Sequence, residues 1–264
     1  MDPIDAALVS GGGVIAGVVN AMAGGGSLLT VPLLTLAGLP GGVANGTNRV
    51  GIWVQNAGSA LSFRREGVSG VAQAGPVILP VLAGSLIGAV VVSQLADETF
   101  ERLFGFLMIP LLILSLRPPR ARVRRRPPSS VGAAVSLPAA DERSVAPWPT
   151  WVSATAFFAI GLYGGAIQAG VGLIITMALA RSGIDLVLAN AIKVILLLAL
   201  TTVAVPVFVI EGQVDWPFAA VLAVGYGIGG VLGARIAVRG GEKVIRPVLV
   251  GAVVVLALSM IGVW

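Results

Sequence analysis

The feature that most constrains this chain is a series of long apolar stretches separated by short polar breaks. Most of these stretches approach the ~20 residues that a helix needs to cross a bilayer. Only 11% of the 264 residues are charged, whereas a typical soluble domain has about 25%. A soluble fold of this size has too little interior to bury so much apolar sequence. We therefore predict an all-α, polytopic integral membrane protein that contacts the lipid bilayer.

An internal repeat becomes visible when the sequence is shifted by 145 residues against itself. The alternative explanation is chance matching of Gly and Ala in a glycine-rich chain. Three kinds of aligned pair argue against chance: Asn45 with Asn190, Phe63 with Phe208, and Glu66 with Glu211. Self-similarity at a fixed offset is typical of transporters built from two related halves.

The repeat divides the chain into three parts. We predict a first transmembrane repeat over residues 1–116 and a second over 148–264, joined by a basic, Pro-rich cytoplasmic linker over 117–147. The arginine cluster in this linker could instead bind nucleic acid. In a short loop between membrane segments, clustered arginine more simply fixes topology, so we expect no nucleic-acid partner.

Each repeat is expected to hold about five hydrophobic segments. They lie near 4–22, 26–38, 43–63, 70–93 and 100–116, and near 150–168, 171–182, 187–210, 216–238 and 246–263. The second segment of each repeat follows a glycine-rich break and is too short to span the bilayer comfortably at 1.5 Å per residue. The first two segments therefore form either two crossings or a hairpin on one side, which gives 8–10 membrane segments in all.

The charge of the loops changes sign between equivalent positions in the two repeats. The loop at Arg64-Arg65 is basic, and its mate from Glu211 to Asp215 is acidic. The loop at Asp97-Glu98 is acidic, and its mate from Arg239 to Arg246 is basic. Because cytoplasmic loops collect Lys and Arg, this pattern predicts inverted repeats with both termini external.

The composition excludes several kinds of chemistry. The chain has no cysteine and no histidine, which removes thiol chemistry, imidazole catalysis and the commonest metal ligands. No hydrophobic segment contains a pair of carboxylates. We therefore expect a transporter rather than an enzyme, with no cofactor and no metal.

Two cations, Arg49 and Lys193, lie inside predicted membrane segments. Each lies near the start of the third segment of its repeat and close to an asparagine. Charges inside a membrane are costly and are commonly functional, and two inward-facing cations would attract an anion. The alternative is that both side chains snorkel to the membrane surface.

The glycine-rich breaks are the second indication of a binding site. A helix that starts at Ser27 or near Gly172 would present free backbone N–H groups and the positive end of its dipole to an anion. The alternative is that the glycines serve only close helix packing, a role we assign to Gly84, Gly88, Gly229 and Gly233. The candidate substrate-binding residues are Asn20, Gly24, Gly25, Gly26, Ser27, Asn45, Thr47, Asn48, Arg49, Gln168, Gly170, Gly172, Asn190 and Lys193.

Three polar residues of the third segment, Gln55, Ser59 and Ser62, share one helical face. That face either lines a substrate path or forms hydrogen bonds to neighbouring helices.

The first break and the residues after it resemble the sulfite exporter TauE/SafE family, also called the 4-toluene sulfonate uptake permease family. The residues that carry the resemblance are Gly17 to Ser27, Pro32, Gly38-Leu39-Pro40 and Ala44-Asn45-Gly46-Thr47-Asn48, with a weaker echo over Gly161 to Gly172. The second break departs from the pattern, with Gln168-Ala169 and Val171 where a longer glycine run is expected. The resemblance implies a permease of the bacterial inner membrane, with about eight helices, for sulfite or related sulfur-containing anions.

The expected mechanism is alternating access of the two repeats around a small anion. Proton coupling is consistent with the resemblance, but the segments contain no histidine and no deep carboxylate for a proton relay, so a weakly acidic anion would carry the proton itself. A passive anion channel and a membrane scaffold without a substrate are the alternative functions. The sequence indicates no oligomeric state.

Overall fold

A computed structural model describes residues 3–22, 24–115, 150–181 and 184–260, and the side chains of 4–22, 24–107, 151–179 and 184–240. The predicted linker at 117–147 and Gly183 lie outside the described residues. The helices of the described residues are α1 (Pro3–Met22), α2 (Ser27–Leu36), α3 (Gly41–Arg65), α4 (Val71–Ser93), α5 (Asp97–Ser115), α6 (Thr150–Ala166), α7 (Val171–Arg181), α8 (Leu186–Ile210) and α9 (Trp216–Met260).

Several of these helices are long and apolar enough to cross a bilayer. They are Ile4–Met22, Val71–Ser93, Leu186–Ile210 and Trp216–Gly240. The prediction of an all-α, polytopic membrane protein is confirmed. Helix α3 is as long as α8, with 25 residues in each, but its polar residues lower its hydropathy. Those polar side chains are buried against other helices, where they avoid the lipid.

The repeat is present in the backbone of α3 and α8, which begin and end 145 residues apart. Both helices also end in the same way. The N–H of Gly67 donates to the Arg64 carbonyl, and the N–H of Gly212 donates to the Val209 carbonyl. Both glycines have a positive φ, of 80° and 70°, a conformation that favours glycine after a helix.

Helices α3 and α8 run antiparallel. Gly46, near the start of α3, lies so close to the carbonyl of Gln213, just after α8, that a Cβ at position 46 would overlap its oxygen. At the other end, a Cβ at Gly70, just after α3, would lie 2.5 Å from the backbone nitrogen of Ile192, near the start of α8. Since α3 and α8 are equivalent, the two repeats point in opposite directions, as the loop charges predict.

The repeats interlock rather than lie side by side. Helix α1 packs along α9, and the equivalent pair α6 and α4 packs in the same way. Both pairs depend on glycines without side chains: Gly229 faces the Val14 carbonyl, and Gly84 faces the Phe158 carbonyl. The predicted packing role of these glycines is confirmed. Helices α3 and α8 pack against each other, and each also packs against a helix of the opposite repeat, α3 against α9 and α8 against α4.

The short helix α2 turns back along α1. Gly26 lies against Asn20, and further along α2 the Leu33 Cδ2 would lie 2.6 Å from a Cβ at Gly12. With 10 residues, α2 covers about 15 Å, roughly half of a bilayer core. Helices α1 and α2 therefore form a hairpin whose second arm is too short to cross the bilayer, one of the two arrangements expected for the first two segments. The remaining helices α3, α4 and α5 keep the odd number of crossings that inverted repeats require.

The predicted boundary between segments 216–238 and 246–263 is also wrong. The backbone is one continuous helix, α9, from Trp216 to Met260. The polar stretch between the two segments, Gly240-Gly241-Glu242-Lys243, contains no proline. Charged residues keep their backbone hydrogen bonds, so a fall in hydropathy does not by itself end a helix.

A single shift of 145 residues does not align the whole of both halves. The alignment needs one gap. Gly17 lies against the Tyr226 carbonyl, and Gly161 lies against the carbonyl of its counterpart, Val81. Gly17 and Gly161 are 144 positions apart, one fewer than the rest of the repeat. The second break therefore holds one extra residue. The extra residue is accommodated at Gln168. Among the described residues, Gln168 is the non-glycine residue with a positive φ, of 60°.

Candidate functional site

The two glycine-rich breaks meet at a direct backbone contact. A Cβ at Gly24 would lie 2.5 Å from the Cα of Gly172, and a Cβ at Gly172 would lie equally close to the Cα of Gly24. Gly24 also has a φ of 84°. This contact brings the ends of α1 and α6 and the beginnings of α2 and α7 into one central region.

Lys193 binds the end of the broken helix of the other repeat. Its Nζ, on α8, donates to the carbonyls of Asn20 at 2.8 Å and Ala21 at 2.9 Å, both in the last turn of α1. The third N–H donates to the Oδ1 of Asn190 at 2.7 Å. All three donors of this ammonium group are therefore used within the protein.

Arg49, in the first repeat, binds the end of the broken helix of the second repeat in the same way. Its guanidinium, on α3, donates to the carbonyls of Gly164 at 3.0 Å and Ala166 at 2.7 Å, in the last turn of α6, and to the Oε1 of Gln168 at 3.1 Å. The guanidinium carbon lies 4.5 Å from the centre of the Phe208 ring, a cation–π arrangement. Its Nε has no hydrogen-bond partner among the described residues.

The two cations leave the centre of the molecule positively polarised. Both side chains are 0% exposed, so the snorkelling alternative is wrong. Each cation binds the carbonyls at the negative end of a helix, and neither pairs with a carboxylate of the described residues. Two buried positive charges without an anionic partner are costly, and an anion would relieve that cost.

The equivalent asparagines Asn45 and Asn190 both support this arrangement. The Nδ2 of Asn45 donates to the Ala166 carbonyl at 3.0 Å, the same carbonyl that Arg49 binds. Asn190 instead accepts from Lys193. Each asparagine therefore belongs to the capping group of the cation in its own repeat.

Several buried donors of the predicted site residues have no partner among the described residues. They are Asn48 Nδ2, Arg49 Nε, Gln168 Nε2 and Asn190 Nδ2. A buried donor without an acceptor costs about 1–3 kcal/mol, and an oxyanion supplies acceptors without donors. The amide oxygen of Asn45 is also unpaired among the described residues.

Other predicted residues shape the first break. The Nδ2 of Asn20 donates to the Gln55 Oε1 at 2.5 Å, and its Oδ1 accepts from the Gly26 N–H at 3.3 Å. Ser27 is buried at the first position of α2. Gly25 has more room, since a Cβ there would lie 3.7 Å from the nearest side chains.

Of the remaining predicted site residues, Gly170 lies in the second break and Thr47 does not lie in either break. Gly170, with a φ of 71°, precedes α7 and forms part of the second break. Thr47 lies apart from the breaks, because its hydroxyl accepts from the Asp215 N–H at 2.9 Å in the connection between α8 and α9.

The polar face of α3 bonds to neighbouring helices. Gln55 donates to Ser59 at 3.0 Å, and the Ser59 hydroxyl donates to the Gly230 carbonyl on α9 at 3.0 Å. Ser62 donates to the Val231 carbonyl at 3.4 Å. Of the two alternatives for this face, helix bonding is the one that the structure supports.

Thr30 and Tyr226 contact the predicted site residue Asn48 and were not among the residues predicted from the sequence. The Thr30 hydroxyl donates to the Asn48 Oδ1 at 2.6 Å and lies 2.8 Å from the Tyr226 hydroxyl. All three side chains are fully buried. Neither hydroxyl has a polar counterpart in the repeat, because Thr30 aligns with Ile175 and Tyr226 with Val81. Their signal was an isolated polar residue within an apolar segment.

Comparison with known proteins gives one family and several relatives. Residues 9–260 match the family described as sulfite exporter TauE/SafE. A probable membrane transporter protein, ORF9, of Sinorhizobium sp is 26% identical over 250 residues, which cover 94% of this chain and 89% of that protein. A probable membrane transporter protein of Haemophilus influenzae is 25% identical, over 90% of this chain and 87% of its own length.

A third relative is the probable membrane transporter protein YfcA of Escherichia coli K12. It is 25% identical over 90% of this chain and 82% of its own length. No solved structure matches the chain. The family and the names of these relatives support membrane transport.

Proposed function

The chain belongs to the sulfite exporter TauE/SafE family, and from this we propose that it carries sulfite or organosulfonate anions across the bacterial inner membrane by alternating access. Membrane transport itself follows from the family. The anionic substrate, the inner membrane and the mechanism are the parts that we propose.

The observation that carries the proposal is the pair of buried cations without a carboxylate partner among the described residues. Among the described residues, the hydrogen bonds of Arg49 and Lys193 go to carbonyl and amide oxygens. In a region removed from water, unscreened positive charge favours an anionic ligand strongly over a neutral one. The unpartnered donors of Asn48, Gln168 and Asn190 would supply the hydrogen bonds that orient its oxygens.

The inverted repeats support alternating access. The hairpins from the two repeats meet at Gly24 and Gly172, so a relative movement of the repeats would change access to this point from either side. A cleft of about 250 Å³ lies between the end of α3 and the start of α8, lined by Arg64, Ala191 and Ile195 among others.

Flux through purified protein in proteoliposomes tests the proposal. We expect saturable uptake of labelled sulfite or methanesulfonate that is accelerated by the same anion trapped inside, because a carrier exchanges substrate through one site. Single-channel currents without counterflow would instead indicate the passive channel. No flux and no anion binding would indicate the scaffold.

Coupling to protons is tested in the same vesicles. If a weakly acidic anion carries its own proton, an imposed pH gradient should drive the uptake of sulfite, which is weakly acidic, more than that of methanesulfonate, which stays ionised. An equal and unchanged rate for both anions would contradict proton coupling and leave anion transport intact.

A further inference from the structure

We propose that Tyr226 and Thr30 are positioning residues that orient the Asn48 amide so that its N–H₂ group donates to the transported anion. This inference rests on the proposed function and adds two residues and a defined donor to its site. The three side chains come from α9, α2 and α3, and all are fully buried.

The orientation follows from the hydrogen bonds of the two hydroxyls. The Asn48 Oδ1 accepts from Thr30 at 2.6 Å and lies 3.3 Å from the Tyr226 hydroxyl. The two hydroxyls lie 2.8 Å apart. Each hydroxyl has one proton. The short bond to Asn48 uses the Thr30 proton, so the Tyr226 proton is donated to Thr30. Tyr226 thereby fixes the Thr30 hydroxyl as the donor that holds the amide oxygen on this side.

Holding the oxygen fixes the nitrogen on the opposite side. The Asn48 Nδ2 is buried and has no partner among the described residues. Its neighbour in the chain, Arg49, has an equally unpartnered Nε. Without the two hydroxyls, the amide could rotate and pair its nitrogen elsewhere, and the donor would no longer be preorganised for an anion.

The arrangement also connects the repeats. Thr30 and Asn48 belong to the first repeat, whereas Tyr226 lies on α9 of the second repeat. Movement of α9 relative to α3 would therefore release the Asn48 amide. The anion affinity of the site is then set by the relative position of the two repeats, as alternating access requires.

Equilibrium binding of sulfite and methanesulfonate to purified variants tests the inference. We expect Tyr226→Phe and Thr30→Val each to weaken binding by about three- to tenfold, the value of one hydrogen bond. Thr30→Ser, which keeps the hydroxyl, should restore most of the affinity. Asn48→Asp keeps the acceptor for the Thr30 hydroxyl but replaces the donor with an oxygen, so it should abolish binding.

Thr35→Val is the matched control on the same helix, because within the described part of the chain the Thr35 hydroxyl donates to the Pro32 carbonyl of α2 at 2.8 Å. We expect it to bind the anions like the wild type. Melting temperature without ligand separates folding from binding: a merely structural role predicts a lower Tm with unchanged affinity in the folded protein. Wild-type binding with equal affinity in Tyr226→Phe and Thr30→Val would overturn this inference alone. No binding of either anion by the wild type would overturn the proposed function as well.

Discussion

Replacement of Arg49 by glutamine is expected to abolish anion transport while leaving a folded protein. The guanidinium is a fully buried charge with no carboxylate partner among the described residues, and its Nε is unpaired. Loss of one charge at about 4 Å from an anion removes ~4 kcal/mol at an effective dielectric constant of about 20. This corresponds to a loss of affinity on the order of a thousandfold, which calorimetric titration with sulfite would measure.

Two variants control for the role of charge at this position. Arg49→Lys keeps the charge but loses the planar fork and the Nε, so an intermediate affinity is expected. Lys193→Gln removes the cation whose donors are already occupied. We expect a larger fall in Tm and a smaller fall in affinity from this change than from Arg49→Gln. Wild-type affinity in Arg49→Gln would mean that the anion does not contact this region.

Replacement of Gly24 by alanine is expected to prevent stable folding. The new Cβ would lie 2.5 Å from the Gly172 Cα, and the backbone would keep a φ of 84° that alanine rarely adopts. A left-handed non-glycine residue costs about 1–3 kcal/mol, and overpacking adds about 1–3 kcal/mol. Against a typical stability of about 5–15 kcal/mol, we expect a sharply reduced yield of monodisperse protein and a lower Tm.

Gly25→Ala, one residue further on, is the matched control. Its Cβ would lie 3.7 Å from the nearest atoms of Leu28 and Leu173, which is ordinary van der Waals contact. We therefore expect this variant to be purified in wild-type yield. If the two alanine variants melted at the same temperature, the backbone contact between the breaks would not hold the hairpins together.

The sequence predicted the features that repeat. Helices α3 and α8 were found with their boundaries within two residues because their apolar stretches are long and their ends are marked by Gly67 and Gly212. The charged loops predicted the inverted arrangement, because topology depends on where Lys and Arg lie. Arg49 and Lys193 stood out because a cation is rare in an apolar segment.

Features that depend on contacts between the repeats could not be read from the sequence. Nothing in the local pattern shows that Lys193 binds the carbonyls of Asn20 and Ala21, which are more than 170 residues away. The direction of α2 depends on how it packs against α1, so its short length left two arrangements open. Thr30 and Tyr226 were missed because their partnership joins different repeats and has no mirrored copy.

The cross-binding of cations gives the fold a physical reason for its broken helices. Each break leaves the carbonyls of one helix end without partners in that helix, and a cation from the opposite repeat binds them. This stabilises the contact between repeats and neutralises the negative helix ends. The two cations differ in one respect. The Nε of Arg49 has no partner among the described residues, whereas all three N–H groups of the Lys193 ammonium donate hydrogen bonds.

The opposite orientation of the repeats is the claim on which the shared site depends, because only then does each cation reach the broken helix of the other repeat. The chain has no cysteine, so single cysteines at the exposed positions Ser69 and Glu211 can be labelled with a membrane-impermeant maleimide in intact cells. Glu211→Cys should react from outside, and Ser69→Cys only after the membrane is permeabilised. Labelling of both cysteines from the same side would contradict the inverted arrangement and the shared anion site with it.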